Sequence, residues 1–569
     1  MATNLPMLCR ATLVLAVSAL MFSGFAHADD PQPRAETTAP TGQKGGRGSA
    51  AQSSSSTAEL HRLPPDSTTK QTLDLPGRTL NFAATAGSIR VFDGKGEPLA
   101  DIAYTSYALD GADRATRPVT FLFNGGPGAS SAFLHLGAVG PRRVAFPADG
   151  SLPSMPPRLV DNEASWLAFS DLVFVDPVGT GFSRIVEPAE KKEGNGAGKG
   201  DEAKPADPKE FFGQKRDLES LCEFAGRWLS KHDRWGSPVF VAGESYGGYR
   251  VGRLVRMLQE DAGIGLNGAV LISPALEVAT LFGNDYDIGG WVDRVPTMAA
   301  AALHHGRSRA NAGRSGRARR RAPELDAVLA EAEEFASGDY ARFLARGAAM
   351  PESERSAILA RLADLTGLPT EVVVRCEGRV PIDTFGRELL RDERKIVGMY
   401  DSTITATDPF PDRPSGSGPD PTLSGITPAY TMGVNRLLRG ELGLDTDREY
   451  TLLSMEVNTA WKNDADHHAF DAAIPGATDD FRYGLALNPH LRAFITHGRH
   501  DLVTPFYTSD RLRNLMRLDP ATAGRLTVRH FHGGHMFYAW ETSRQQFTTA
   551  IAEFVASSLP GQVLGSSTA

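Results

Sequence analysis

Apolar residues follow two rhythms along the chain. Residues 119–123 (VTFLF), 172–175 (LVFV), 239–242 (VFVA) and 268–276 (GAVLISPAL) are short runs without polar alternation. Strands that read this way are buried on both faces, as in a parallel sheet covered by helices. Between the runs the spacing turns helical. Leu218, Leu221, Phe224, Ala225 and Leu229 share one face of 212–229, and Val251, Leu254, Val255 and Leu258 share one face of 248–260. Upstream, GSIRVFD and PLADIAYTSYAL flank the turn Asp93-Gly94-Lys95-Gly96, which predicts an antiparallel start to the sheet. The pattern breaks over 286–446, where amphipathic stretches at 327–344 and 352–365 and a Pro/Gly loop at 408–421 replace it. That length exceeds a simple crossover and predicts a largely helical cap inserted over one end of the sheet. LRAFITHGRHD and RLTVRHFHGGHMF then resume the core within 447–560. The expected class is α/β, with a central, mostly parallel sheet flanked by helices.

Composition narrows the picture. The 569 residues are 41% hydrophobic, ample for a large core. The formal net charge of −8 gives no general attraction for nucleic acid. Residues 1–28 read as an export signal: Arg10 ahead of the apolar run 11–22, then an A-x-A site at Ala26-His27-Ala28. No later apolar run is long enough to span a bilayer, so the cleaved chain is expected to carry no transmembrane segment and to be periplasmic or secreted. Residues 29–74, rich in Ser, Pro, Gly and Thr, predict a disordered linker, and the charged stretch 187–208 a solvated insertion. The first part of the core is then 75–285. After signal removal only Cys222 and Cys376 remain, able to form one disulfide or none. The tract 304–321 holds seven Arg, two His and no acid, interrupted by Gly, Ser and Asn without an aromatic to stack on bases. It reads as a surface loop.

The chemistry centres on Gly243-Glu244-Ser245-Tyr246-Gly247. This is G-x-S-x-G between a predicted strand and a predicted helix, the setting in which the serine is thrust out on a tight turn at the top of a sheet. A serine hydroxyl needs a base to take its proton and a carboxylate to orient that base. Asp501 and His535 each follow a strand, and the order Ser245…Asp501…His535 is that of the α/β-hydrolase fold. His500, His530 and His532 compete for the base; His535 is favoured because Gly533-Gly534 place it at a loop tip. The cluster of histidines from His497 to His535 lacks H-E-x-x-H or C-x-x-C spacing, so no metal or other cofactor is expected. Asn124-Gly125-Gly126-Pro127-Gly128 ends another strand, and its glycines let backbone N–H groups face a ligand. Gly126 N–H and Tyr246 N–H are the candidate oxyanion donors.

Five stretches together resemble the serine carboxypeptidases (peptidase family S10), especially the bacterial type: FNGGPGASS, LVFVDPVGTGFSR, GESYGGYR, GRHDLVTPF and GGHMFY. They run from about Gly87 to the end of the chain. The resemblance implies an α/β-hydrolase that removes C-terminal residues from peptide substrates. It assigns Ser245, Asp501 and His535 to the triad and Gly126 and Tyr246 to the oxyanion hole. Asn124 and Glu244, with Gly125 N–H nearby, would bind the substrate's terminal carboxylate. A carboxyl can bind a carboxylate only by keeping its proton, which implies a preference for acidic pH. Two positions depart from the family pattern: Leu122 stands where a Trp often supports the acidic group, and Ala129 where a Cys is common. An esterase or acyltransferase on the same scaffold is the alternative, and a catalytically silent binding protein tethered by the linker is a third reading.

Overall fold

The computed structural model describes residues 63–186, 208–282, 284–308, 324–413, 420–463 and 476–559. The export signal, the linker up to 62, nearly all of the insertion 187–208 and the Arg-rich tract beyond 308 lie outside the described residues. Nine strands form a continuous path in one sheet: β1 (Ser67–Leu75), β2 (Arg78–Phe92), β3 (Pro98–Leu109), β4 (Val119–Phe123), β5 (Asp171–Val175), β6 (Val239–Glu244), β7 (Gly268–Ile272), β8 (Arg492–Gly498) and β9 (Leu526–Phe531). Their spatial order is β1-β2-β3-β5-β4-β6-β7-β8-β9, and the two-residue strand Arg184–Ile185 also pairs with β3. β1, β2 and β3 are antiparallel to one another and β3 is antiparallel to β5. From β5 to β9 every pairing is parallel.

One expectation is corrected. The linker does not extend to Asp74, because β1 begins at Ser67 and pairs with β2 along its whole length. Its sequence, STTKQTLDL, is mostly polar. An edge strand needs few apolar side chains, so periodicity gave no sign of it.

The parallel strands alternate between two hydrophobic layers, as a period of two requires. Leu122, Ala242, Val270, Ile272 and Phe494 belong to one. Phe121, Phe123, Val241, Ala269, Leu271 and Ile495 belong to the other. Helices α1 (Gln214–Lys231) and α2 (Tyr246–Glu260) bury their apolar faces in the second layer, through residues such as Leu221, Phe224, Leu254 and Val255.

Between β7 and β8, in the segment expected to form a cap, α3 (Gly289–His304), α4 (Leu325–Phe335) and α5 (Glu352–Thr366) share an apolar cluster with Phe343, Phe385 and, from beyond β8, Leu502. The same segment holds a short antiparallel pair, Lys395–Val397 with Thr405–Thr407. Helix α6 (Pro421–Asn435) packs Ala429, Tyr430 and Val434 into the sheet's first layer rather than into the cap cluster. Cys222, on α1, and Cys376 are both free thiols.

Register decides where the loops emerge. Phe123 pairs with Gly243, Ile272 with Glu244 and with Thr496, and Gly498 with Phe531. The carboxyl ends of β4, β6, β7, β8 and β9 are therefore nearly level, and the loops that follow them leave from the same edge of the sheet, where ligands bind in open α/β sheets.

Candidate active site

The turn after β6 is where the backbone is most constrained. Ser245 has φ 85° and ψ −115°, a region that side-chain-bearing residues rarely enter. Such a conformation costs roughly 1–3 kcal/mol and persists only where its surroundings enforce it. Here Ser245 N–H donates to Ile272 C=O at 2.9 Å, and Ser245 C=O accepts from Gly248, Tyr249 and Ala275. A Cβ on Gly243 would lie 2.1 Å from the Gly247 carbonyl oxygen, so only glycine lets strand and helix approach this closely. Ser245 is partly exposed, at the point where α2 begins.

The loop after β4 lies against that helix start. A Cβ on Gly125 would come within 2.5 Å of Tyr246 N. Gly126, at φ 97°, needs the left-handed region open to glycine. The loop is held from behind by Arg250, buried on α2. Its guanidinium pairs with Asp217 on α1 at 2.7 Å and donates to the Asn124 carbonyl at 2.6 Å. Asn124 N–H donates to the Ser131 hydroxyl oxygen at 3.4 Å and Ala129 N–H to Gly125 C=O at 3.2 Å, so the loop is braced on both sides of Gly125-Gly126. Ser454 N–H donates to Gly128 C=O at 2.8 Å and fixes the far end. Tyr246 N–H is one of the unsatisfied amides at the positive end of a helix, a ready position for an anionic oxygen.

Asp501 and His535 meet as their strand-end positions predict. His535 Nδ1–H donates to Asp501 Oδ2 at 2.7 Å, both groups being buried. That bond fixes the tautomer and leaves Nε2 as the basic nitrogen. Asp501 Oδ1 accepts from the N–H groups of Val503 and Thr504, and Oδ2 also accepts from the Thr504 hydroxyl at 2.6 Å. The His535 backbone is held by Tyr400 C=O and by the Ser273 hydroxyl, which donates to His535 C=O at 2.8 Å. Ser273 directly follows β7, whose last residue anchors Ser245, so one residue ties the loop of the base to the turn of the serine. No side-chain hydrogen bond joins Ser245 and His535. In unliganded sites that contact is often long and tightens when substrate binds. Burial opposes the imidazolium, but the Asp501 carboxylate, with Glu244, outweighs it and holds His535 above its ordinary value.

The other histidines are used elsewhere. His497 contacts Thr504 C=O and Ser509, His530 pairs with Asp510, and His532 packs edge-on to Trp540. His500 is buried against His532.

Asn124 and Glu244 stand side by side, one residue beyond the Phe123–Gly243 pair. Asn124 Oδ1 accepts from Leu134 N–H at 2.9 Å, which orients the amide and leaves its NH₂ as donor. Glu244 is 3% exposed. Burial raises its carboxyl from 4.5 to about 7, against the lowering influence of His535 and of Tyr538, while Asp501 raises it further. Tyr538 donates to Glu244 Oε2 at 2.5 Å. Leu122 is buried in β4 and offers Glu244 nothing polar. Tyr538, Thr504, Ser273 and Arg250 were not singled out from sequence. Tyr538, Thr504 and Arg250 lie inside motif stretches quoted above, but their partners are distant in the chain.

Residues 79–282 match the family model described as serine carboxypeptidase. Serine carboxypeptidase-like 13 of Arabidopsis thaliana is 32% identical over 161 residues, covering 28% of this chain and 32% of that protein. Serine carboxypeptidase-like 5 of the same plant is 34% identical over 171 residues, covering 28% and 34%. The chain thus spans about a third of the length of these curated relatives. Among solved structures, Kex1Δp, a prohormone-processing carboxypeptidase from Saccharomyces cerevisiae, aligns over 83% of this chain and 91% of its own. The TM-score is 0.50 at 15% identity, a likeness of fold. With the sheet order described above, the architecture is that of an α/β-hydrolase. The family match contains Asn124, Gly126, Glu244, Ser245 and Tyr246 but ends before Asp501 and His535, which geometry alone brings to the site.

Proposed function

We propose that this protein is a serine-type carboxypeptidase of the bacterial type that removes C-terminal residues from peptides through an acyl-enzyme on Ser245. In this reading His535 Nε2 takes the Ser245 proton as Oγ attacks the scissile carbonyl. Asp501 stabilises the imidazolium. The oxyanion accepts hydrogen bonds from Tyr246 and Gly126 N–H. His535 then protonates the departing amine, and a water activated by the same nitrogen releases the peptide acid.

The observation that carries the reading is Glu244. A buried carboxyl beside the nucleophile keeps its proton at acidic pH and can donate it to a substrate carboxylate. The Asn124 amide and Gly125 N–H would supply further donors. A site for neutral esters has no use for such a group. Binding of a free-acid substrate is therefore favoured as pH falls through about 7, while turnover is limited on the acid side by protonation of His535, which its neighbours hold above its ordinary value. The segment 286–446 would act as a cap above the crevice, and the signal at 1–28 would direct export. Among the described residues no helix is long and apolar enough to cross a membrane.

Labelling by a fluorophosphonate probe tests the nucleophile. Wild type should be labelled, Ser245→Ala should not, and release of C-terminal amino acids from a free-acid peptide should disappear with the label. A folded wild-type protein that takes no label would overturn the assignment.

A further inference from the structure

We infer that Tyr538 is the positioning residue of the carboxylate-recognition site, fixing which oxygen of Glu244 faces the substrate and so enforcing selection of a free chain end. The inference rests on the carboxypeptidase reading above.

Tyr538 lies on the short turn Phe537–Ala539, three residues after His535. Its ring is wholly buried and its hydroxyl donates to Glu244 Oε2 at 2.5 Å. A phenol has one proton to give, so Oε2 is occupied as an acceptor. With Oε2 held in that bond, the acid proton of Glu244 is placed on Oε1, the oxygen left for another partner. The chain makes room for this arrangement at Gly137. A Cβ there would lie 2.6 Å from Tyr538 Cε2 and 2.5 Å from the Tyr430 hydroxyl oxygen. Two tyrosine rings, from the turn after His535 and from α6, thus converge through a gap that only glycine leaves. Because Leu122 is apolar and buried, Tyr538 is the side chain that orients the carboxyl. The same short segment therefore carries the base and the residue that aims the recognition group.

The groups facing Glu244 are Tyr538, His535, Asp501 and Tyr430, and Tyr430 in turn feels Arg143 and Arg544. Of these, the Tyr538 hydrogen bond favours the ionised carboxylate. Removing the hydroxyl must therefore raise the pH at which Glu244 loses its proton.

Tyr538→Phe keeps the ring and deletes only the donor. The protonated-carboxyl stretch of Glu244 can be followed by infrared difference titration, assigned by its loss in Glu244→Gln. It should titrate at higher pH in Tyr538→Phe than in wild type. Fluorotyrosine at 538, a stronger donor, should move it the other way. With an N-blocked dipeptide acid at acidic pH, KM for Tyr538→Phe should rise about ten-fold, more than kcat falls. KM for the corresponding amide should change far less. An unmoved carboxyl titration together with an unchanged KM for the acid would overturn the inference and reduce Tyr538 to packing. If the titration moves but wild type and Glu244→Gln bind acid and amide alike, the hydrogen bond stands. The carboxylate site, and the specificity role built on it, would then both fall.

Discussion

Glu244 and His535 set opposite limits on the same chemistry. In the proposed mechanism His535 must be neutral to accept the serine proton, and its neighbours hold it above its ordinary value, so turnover is expected to decline on the acid side. On the same proposal Glu244 must be protonated to receive a carboxylate, and it is raised to about 7. KM for a free-acid peptide should therefore climb as pH passes through about 7 in wild type and stay flat in Glu244→Gln. An equal climb in both proteins would exclude Glu244 as the group responsible. Stability follows the same sign. With a folded value above the ordinary 4.5, the folded state holds the proton more tightly than the unfolded chain. That contribution is complete below about pH 4.5 and is lost as pH rises through about 7. At this scale the sequence was legible where placement depends on position after a strand, as for the tight turn at Ser245 and the contact of Asp501 with His535. It was not legible where chemistry depends on a long-range pair. Tyr538 and Glu244 are 294 residues apart, and Thr504 is read as an ordinary turn residue until its hydroxyl is seen between Asp501 and His535.

Strands and helices differ in how plainly they announce themselves. The double-sided strands β4 to β7 are mostly apolar and were placed to within about two residues, except that β7 ends at Ile272 rather than at Leu276, whereas the polar edge strand β1 passed for linker. The helices on the sheet carry a second function that periodicity cannot reveal. Arg250 occupies a helical position whose side chain turns inward, to Asp217 on the neighbouring helix and to the loop carbonyls after β4. Arg250→Leu removes one partner of a buried pair and leaves Asp217 uncompensated. The expected loss is about 3–5 kcal/mol of stability. Urea unfolding should show it as a lower midpoint, and, on the proposed mechanism, the surviving folded protein should lose kcat as the loop after β4 relaxes. A loss below about 1 kcal/mol, typical of an exposed pair, would mean that the loop is held by other contacts.

Taken as a whole, the molecule is a mostly parallel sheet flanked by helices, with a long segment between β7 and β8 that packs against it near Asp501 and Glu244. Leu502, the residue after Asp501, packs in the cap cluster, and α6 sends Tyr430 from the inserted segment into the core layer beside Glu244. The insertion was visible in the sequence as a break in rhythm. Its division between cap and core was not, because an amphipathic helix looks alike whichever apolar surface it meets. The central claim is that this assembly acts at a free chain end. It is tested most directly by kcat/KM at acidic pH for one N-blocked dipeptide as the free acid and as its C-terminal amide. The free acid should be strongly preferred in wild type, and the preference should collapse in Glu244→Gln. Equal or faster turnover of the amide by wild type would contradict the account.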